Sequence, residues 1–451
     1  MFNLSRRAAA LYFALLAACA LTLFVTPSAF AQGAVTGAAV AQIDKADTAW
    51  MIAATGLVLM MTIPGLALFY AGMVRKKNVL ATMAQSLAAT FLISILWAVV
   101  GYSLVFTGDG AFIGTLERIF LRGIALDTVS PLAKTIPESL FMLYQMTFAI
   151  ITVALVAGSV ADRLRFSAFL LFCVFWLLLV YVPIAHWVWG GGFLGSAGVI
   201  DFAGGLVVHV NAGIAGLVAA TVVGKRRGYG SENLSPHDLT LAVIGTGLLW
   251  VGWFGFNGGS ALGANSRAAM AIVSTHLAAS AGAFTWMALE WYLRGKPSVL
   301  GMISGAVAGL GTITPASGFV LPMQAVLIGI IAGGVCFWAC TWLKGKIGYD
   351  DSLDVFGVHG IGGLTGTFLA GVLAVGALSA SPELPGGVSG LLEGNPGQVL
   401  NQVYGIAVTL LWSGTMTFVI LKFIGAMVPL RVRHEDEIMG LDVSQHGEAL
   451  Q

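Results

Sequence analysis

The chain reads as an all-α polytopic membrane protein with eleven transmembrane helices, arranged as a five-plus-five inverted repeat followed by an eleventh helix. Three observations carry this. Of 451 residues, 58% are hydrophobic and only 10% charged, against about 25% charged in a soluble globular chain. Charge-free stretches long enough to cross a bilayer, about 20 residues, recur along its whole length. The basic residues fall in alternate gaps between those stretches. A net charge of +1 gives no argument for nucleic acid.

Residues 1–31 stand apart. Arg6 and Arg7 precede an apolar run, and Ala29 and Ala31 form an A-x-A site with cleavage expected before Gln32. This pattern predicts a secretory signal peptide. The competing readings are one extra membrane helix, or a lipoprotein signal ending at Cys19.

The apolar stretches place spans near 48–74, 79–107, 139–161, 166–187, 203–224, 239–258, 268–290, 298–314, 322–343, 355–377 and 402–427. The uncharged run from Pro297 to Leu343 is divided by "TPASGFVLP", where Pro315, Gly318 and Pro322 mark a turn. Residues 32–428 thus form the membrane domain and 429–451 a polar tail. Arg75, Lys76, Lys77, Arg163, Arg165, Lys225, Arg226, Arg227, Arg294, Lys296, Lys344, Lys346, Arg431 and Arg433 follow the odd-numbered spans. The even-numbered gaps hold only Arg118, Arg122, Lys134 and Arg267. Cytoplasmic loops carry the excess of Lys and Arg, so the mature N-terminus is expected outside and the C-terminus in the cytoplasm.

Self-comparison supports the repeat. With His209 set over His359, glycines coincide at Gly213 and Gly363 and at Gly216 and Gly366, and alanines at Ala220 and Ala370. Asp201 and Asp354 lie upstream at different spacings. At a constant offset of 187, Gly65, Phe69, Gly72 and Asn78 fall on Gly252, Phe256, Gly259 and Asn265. Both matches pair spans five apart, which cross in opposite senses. Folds of this kind place the transported species near the midplane, between the halves.

His209 and His359 therefore approach the midplane from opposite sides. Ionisable residues inside spans usually line a cavity or pathway. The bland alternative is a neutral imidazole bonded to a carbonyl of a neighbouring helix. Two facing imidazoles offer one shared hydrogen bond and polar edges to a small guest. No carboxylate accompanies them in mid-span, so a permeant able to lose its charge fits better than a permanent cation. A membrane enzyme with the histidines as metal ligands lacks a nearby third ligand. Neither a metal nor a cofactor is called for. Cys336 and Cys340, at i and i+4, read as packing residues.

"DFAGGLVVHVNAGIAGLV", "GWFGFNGGS", "GAVAGLGTITPASGFV" and "DVFGVHGIGGLTG" resemble the signatures of the ammonium transporter family (Amt/Mep/Rh), in its bacterial Amt form, over about residues 45–445. The resemblance implies movement of ammonium or ammonia across a bacterial cytoplasmic membrane for nitrogen uptake, with no enzymatic activity. It implies an outer recruitment site at Trp189 and Ser260 with Phe148 and Tyr144 beside it, and a stacked gate of Phe148 and Phe256. His209 and His359 become a pore pair, and Asp201 a buried structural and electrostatic group. Tyr144 departs from the phenylalanine of the family pattern, keeping the ring and adding a hydroxyl. Without the resemblance, Trp189 reads as an interfacial tryptophan and the phenylalanines as helix packing. A homotrimer is also implied, to which the Gly301, Gly305 and Gly309 stripe adds thin support. So is docking of a PII signalling protein at the "MGLDVSQHGE" tail. The alternative is an ammonium sensor acting through that tail.

Overall fold

The computed structural model describes residues 43–382 and 384–450. The expected signal peptide lies outside the described residues. Among the described residues, eleven long apolar helical runs follow in order: α1 Lys45–Met73, α2 Lys76–Phe106, α3 Glu138–Val160, α4 Phe166–Ser196, α5 Gly205–Val223, α6 Leu239–Gly259, α7 Ser266–Arg294, α8 Val299–Ile313, α9 Pro322–Ile347, α10 Phe356–Leu373 and α11 Pro396–Met427. Ten are long and apolar enough to cross a membrane, and the chain is a multi-pass membrane protein. A small hairpin, β1 Val129–Ser130 with β2 Ala133–Pro137, precedes α3.

The exception is α8, with 15 residues. It is short for a crossing of about 20. It packs against α6, α7, α9 and α10, and all but four of its residues are buried. Neighbouring helices, rather than lipid, satisfy its surroundings.

Span ends differ from the sequence reading where polar residues find partners. α11 starts at Pro396, not at 402. Proline suits the first turn, where its missing N–H has no acceptor. Gln402 is buried because its Oε1 accepts the Ile200 N–H at 2.8 Å and its Nε2 donates to the Ile200 carbonyl at 2.7 Å. Gln398 donates to the Gly198 carbonyl at 2.9 Å. These amides tie α11 to the 197–204 connection.

The repeat is visible in the packing. The first turns of α5, 205–210, lie on residues 361–373 of α10, and the first turns of α10, 356–360, lie on residues 211–223 of α5. Both starts are widened π-type turns, and they carry His209 and His359. α1 packs along α6, the other pair five spans apart. Asp351, rather than Asp354, is the repeat mate of Asp201: each stands eight residues before its histidine. Each caps its helix, Asp201 accepting the N–H groups of residues 204–207 and Asp351 that of Phe356 at 2.7 Å. Asp354 instead pairs with Lys344 at 2.6 Å.

The basic loops gather at one end of the bundle with buried carboxylates. Arg226 pairs with Asp350 at 2.7 Å and Arg75 with Asp162 at 3.1 Å. Arg163 is fully buried, and burial pushes its pKa down to about 10. Its donors reach the carbonyls of Ala161, Gly224 and Asp350 and the Ser352 hydroxyl, which offsets the desolvation.

Candidate functional site: an aromatic and histidine path through the bundle

The path begins where α5 and α10 touch. A Cβ on Gly213 would lie 2.2 Å from the Gly360 Cα, so the two backbones meet without side chains between them. A Cβ on Gly363 would lie 2.9 Å from the His209 Cβ. This approach brings His209 Nδ1 to 3.2 Å from His359 Nδ1, with the rings 13° from parallel. One nitrogen must donate and the other accept, so the neutral pair holds opposite tautomers. It presents one bare Nε2 and one Nε2–H. The Nε2 of His209 is buried and has no protein partner. Trp253 lies parallel to the His209 ring at 5.5 Å and is held by its indole N–H on Thr314 at 2.8 Å.

Phe148 of α3 and Phe256 of α6 stack at 4.2 Å with 22° between planes. Phe256 is 6.2 Å from the His209 ring. On the far side, Trp189 meets Phe148 edge-on at 5.7 Å. Its indole N–H donates to the Asp201 carbonyl at 2.8 Å. These rings separate three spaces. A cavity of about 320 Å³ at the end opposite the basic loops is lined by Phe148, Trp189, Asp201, Phe202, Ser260 and Arg267, among others. Below Phe256 lies a void of about 10 Å³ walled by Ile151, Val208, His209, Trp253 and His359. That is roughly the room of one water molecule. A third cavity, of about 310 Å³, reaches His359 from the basic end.

Each residue singled out in the sequence is on or beside this path, with differences in position. Ser260 lines the upper cavity, and its hydroxyl donates to the Phe256 carbonyl at 2.8 Å. Tyr144 does not line it. It sits behind, 1% exposed, its hydroxyl 2.8 Å from the Phe256 carbonyl, 3.1 Å from the Gly255 carbonyl and 3.3 Å from Ser260 Oγ. Asp201 touches the cavity, yet its carboxylate is engaged by four backbone N–H groups at 2.5–3.1 Å. Burial raises its pKa above the usual carboxylate range, against the lowering effect of those donors.

Sequence reasoning missed three groups. Asp351 is fully buried with Oδ1 unpartnered, and burial pushes its pKa up to about 6. The eight-residue spacing before each histidine was the available signal. His186, next to the Trp189 turn, meets the carbonyls of Val105 at 2.7 Å and Gly110 at 2.6 Å. Trp253 had no signal beyond its apolar surroundings.

Comparison with known proteins points the same way. The model of the Ammonium Transporter Family matches residues 49–450. The chain is 48% identical over 406 residues to the ammonium transporter of Bacillus subtilis, covering 90% of this chain and 98% of that protein. It is 44% identical over 408 residues to the ammonium transporter Amt1 of Archaeoglobus fulgidus, covering 90% and 99%. The crystal structure of Saccharomyces cerevisiae Mep2 superposes with a TM-score of 0.81 at 38% identity, covering 87% of this chain and 89% of that one. A sensor Amt protein superposes at 0.80 with 28% identity, covering 89% and 98%. With this match along nearly all of the described membrane domain, the chain belongs to the ammonium transporter family.

Proposed function

We propose that the chain recruits ammonium at the 320 Å³ cavity, separates the proton near the stacked phenylalanines, and passes ammonia along His209 and His359. The observation that carries this is the imidazole pair walling a void of water size between two larger cavities. A cation in a desolvated constriction is penalised by several kcal/mol, whereas neutral ammonia is not. The Trp189 face attracts the cation by roughly 0.5–2 kcal/mol, and Ser260 supplies a hydroxyl oxygen. Phe148 and Phe256 then form the gate, and Tyr144 supports recruitment by holding Ser260 and the end of α6. Asp201 holds the turn behind Trp189 and favours positive charge nearby. Potassium cannot shed its charge and is refused. The bare Nε2 and the Nε2–H of the pair accept, donate or relay a proton. Apart from losing and regaining a proton, the cargo is not chemically changed.

In the membrane, the end bearing the basic loops is cytoplasmic by the distribution of Lys and Arg. This is the topology of a bacterial inner membrane protein whose signal peptide, 1–31, leaves the mature N-terminus outside. Three copies, each with its own path, and a PII protein docking at the 429–451 tail complete the reading. Ammonium-evoked and potassium currents in proteoliposomes test it. His209→Asp and His359→Glu install a fixed charge and are expected to admit potassium. Wild-type rates with full exclusion of potassium in both variants would reduce the pair to packing.

A second reading, an ammonium sensor that transports little, is favoured by the similarity to a sensor Amt protein and by the tail's seating on the basic end. Uptake into proteoliposomes separates the two, since a sensor of this kind gives little.

A further inference from the structure

Among the described residues, two charged side chains line the upper cavity, Asp201 and Arg267. An arginine is out of place on the wall of a space that gathers cations. It is held firmly. Arg267, at the start of α7, donates from Nε to the Gly318 carbonyl at 2.9 Å. Its guanidinium carbon lies 4.8 Å from the Phe202 ring centre and 4.6 Å from that of Phe319. These two rings also meet edge to face, with centres 5.8 Å apart. A planar guanidinium stacks on aromatic faces, and an aromatic face within reach of water attracts any cation nearby. Left bare, Phe202 and Phe319 would be cation sites competing with the Trp189 face in the same cavity. Filled by Arg267, they are closed. The charge has a second effect. With Asp201 at one sign and Arg267 at the other, the wall carries no net charge, and a divalent ion gains no advantage from its doubled charge.

We propose that Arg267 is a specificity-determining residue of the upper cavity: its guanidinium occupies the Phe202 and Phe319 faces and balances Asp201, so that one monovalent cation is held at Trp189 and divalent cations are disfavoured. This rests on the recruitment reading above. It goes further by naming what limits recruitment.

The test uses full-length protein in proteoliposomes, with ammonium-evoked current recorded against concentration, at low and high ionic strength, with and without magnesium. In Arg267→Gln and Arg267→Met the half-saturating concentration is expected to fall about two- to fivefold at low salt and to move part of the way back to wild type at high salt, since salt only partly screens a half-buried charge. Maximal current is expected to stay the same, and magnesium to become an inhibitor. Arg267→Lys keeps the charge but not the planar guanidinium, and is expected to leave magnesium without effect while covering the rings less fully. Neutral variants with wild-type half-saturation and no magnesium inhibition would overturn the assignment. So would an Arg267→Lys variant that magnesium inhibits as strongly as Arg267→Gln, because the charge would then not be what excludes divalent cations. Trp189→Leu is measured beside them. If it shifts half-saturation while the neutral Arg267 variants do not, the Arg267 assignment alone falls. If it leaves half-saturation unchanged while they shift it, recruitment at Trp189 falls and the charge effect of Arg267 stands.

Discussion

At the scale of single residues, side chains on the path differ in whether they face the cargo or hold what does. Tyr144 is of the second kind, since its hydroxyl is spent on the last turns of α6. Tyr144→Phe is expected to lower stability by about 1 kcal/mol, the usual worth of such a bond, and to leave half-saturation within about twofold of wild type. Thermal unfolding in detergent and concentration-dependent currents check the two parts. A large shift in half-saturation would put the hydroxyl in direct contact with ammonium. Asp351 allows a pH prediction. Its folded pKa, about 6, lies above that of a free carboxyl, so the folded chain holds the proton more tightly. The stabilisation from this group is then complete below about pH 4 and is lost as pH rises through about 6. Between pH 7.5 and 5, the melting temperature of the wild type should rise relative to Asp351→Asn, which does not titrate. A constant difference would show that the carboxyl does not titrate there.

At the scale of elements, the contact of α5 with α10 sets the geometry of the histidine pair. A methyl on Gly213 has no room against Gly360, and overpacking of this kind costs about 1–3 kcal/mol or moves the backbone. Gly213→Ala is expected to part the helices, lengthen the 3.2 Å imidazole contact and cut ammonium current by about tenfold. Gly247 on α6 is the control, because nothing lies within 4 Å of its added methyl. Gly247→Ala should conduct normally and gain about 0.5–1 kcal/mol from helix propensity. Equal currents in the two alanine variants would mean that the α5–α10 distance does not govern conduction. The glycine matches at Gly213 and Gly363 were legible in the sequence, as was their membership of repeat-related spans. Which backbone each glycine faces was not, because periodicity names a helix face and leaves open the neighbour opposite it.

At the scale of the whole molecule, the tail is fastened to the basic end by specific bonds. The Asn78 side-chain oxygen Oδ1 accepts the Leu441 N–H at 2.8 Å, and the Asp442 carboxylate accepts the Ala81 N–H at 2.8 Å. Glu437, 2% exposed, takes both Nη2 and Nε of Arg431 and the Arg227 N–H. Removing one partner of a buried ion pair strands the other. With Arg431 partly solvated, Glu437→Ala is expected to weaken the tail's seating by about 2 kcal/mol. Limited proteolysis should then cut within residues 434–450 at least tenfold faster, with the helices intact. Unchanged cleavage would show that the bonds of the Asn78 side chain to Leu441 and of Asp442 to the Ala81 N–H are sufficient. This seating couples the tail to the start of α2 and to the loop that follows α5 before any partner is considered.

Composition alone determined that this chain lives in a membrane, because 58% hydrophobic residues cannot be hidden inside a water-soluble core of this size. The alternation of basic loops and the spacing of glycines around His209 and His359 determined the repeat. The spacing that pairs Asp201 with Asp351 was equally present. Only the tertiary structure decided that the imidazoles share a hydrogen bond, that Phe256 stacks on Phe148, that Tyr144 stands behind the cavity and that Arg267 covers Phe202 and Phe319. Those contacts join residues far apart in the chain. They depend on where helices cross to within about an ångström, and on turns such as 197–204 and 314–321 that carry no periodic pattern. Local residue order encodes a helix and its apolar face, but the meeting point of two helices is set by the packing of every side chain between them.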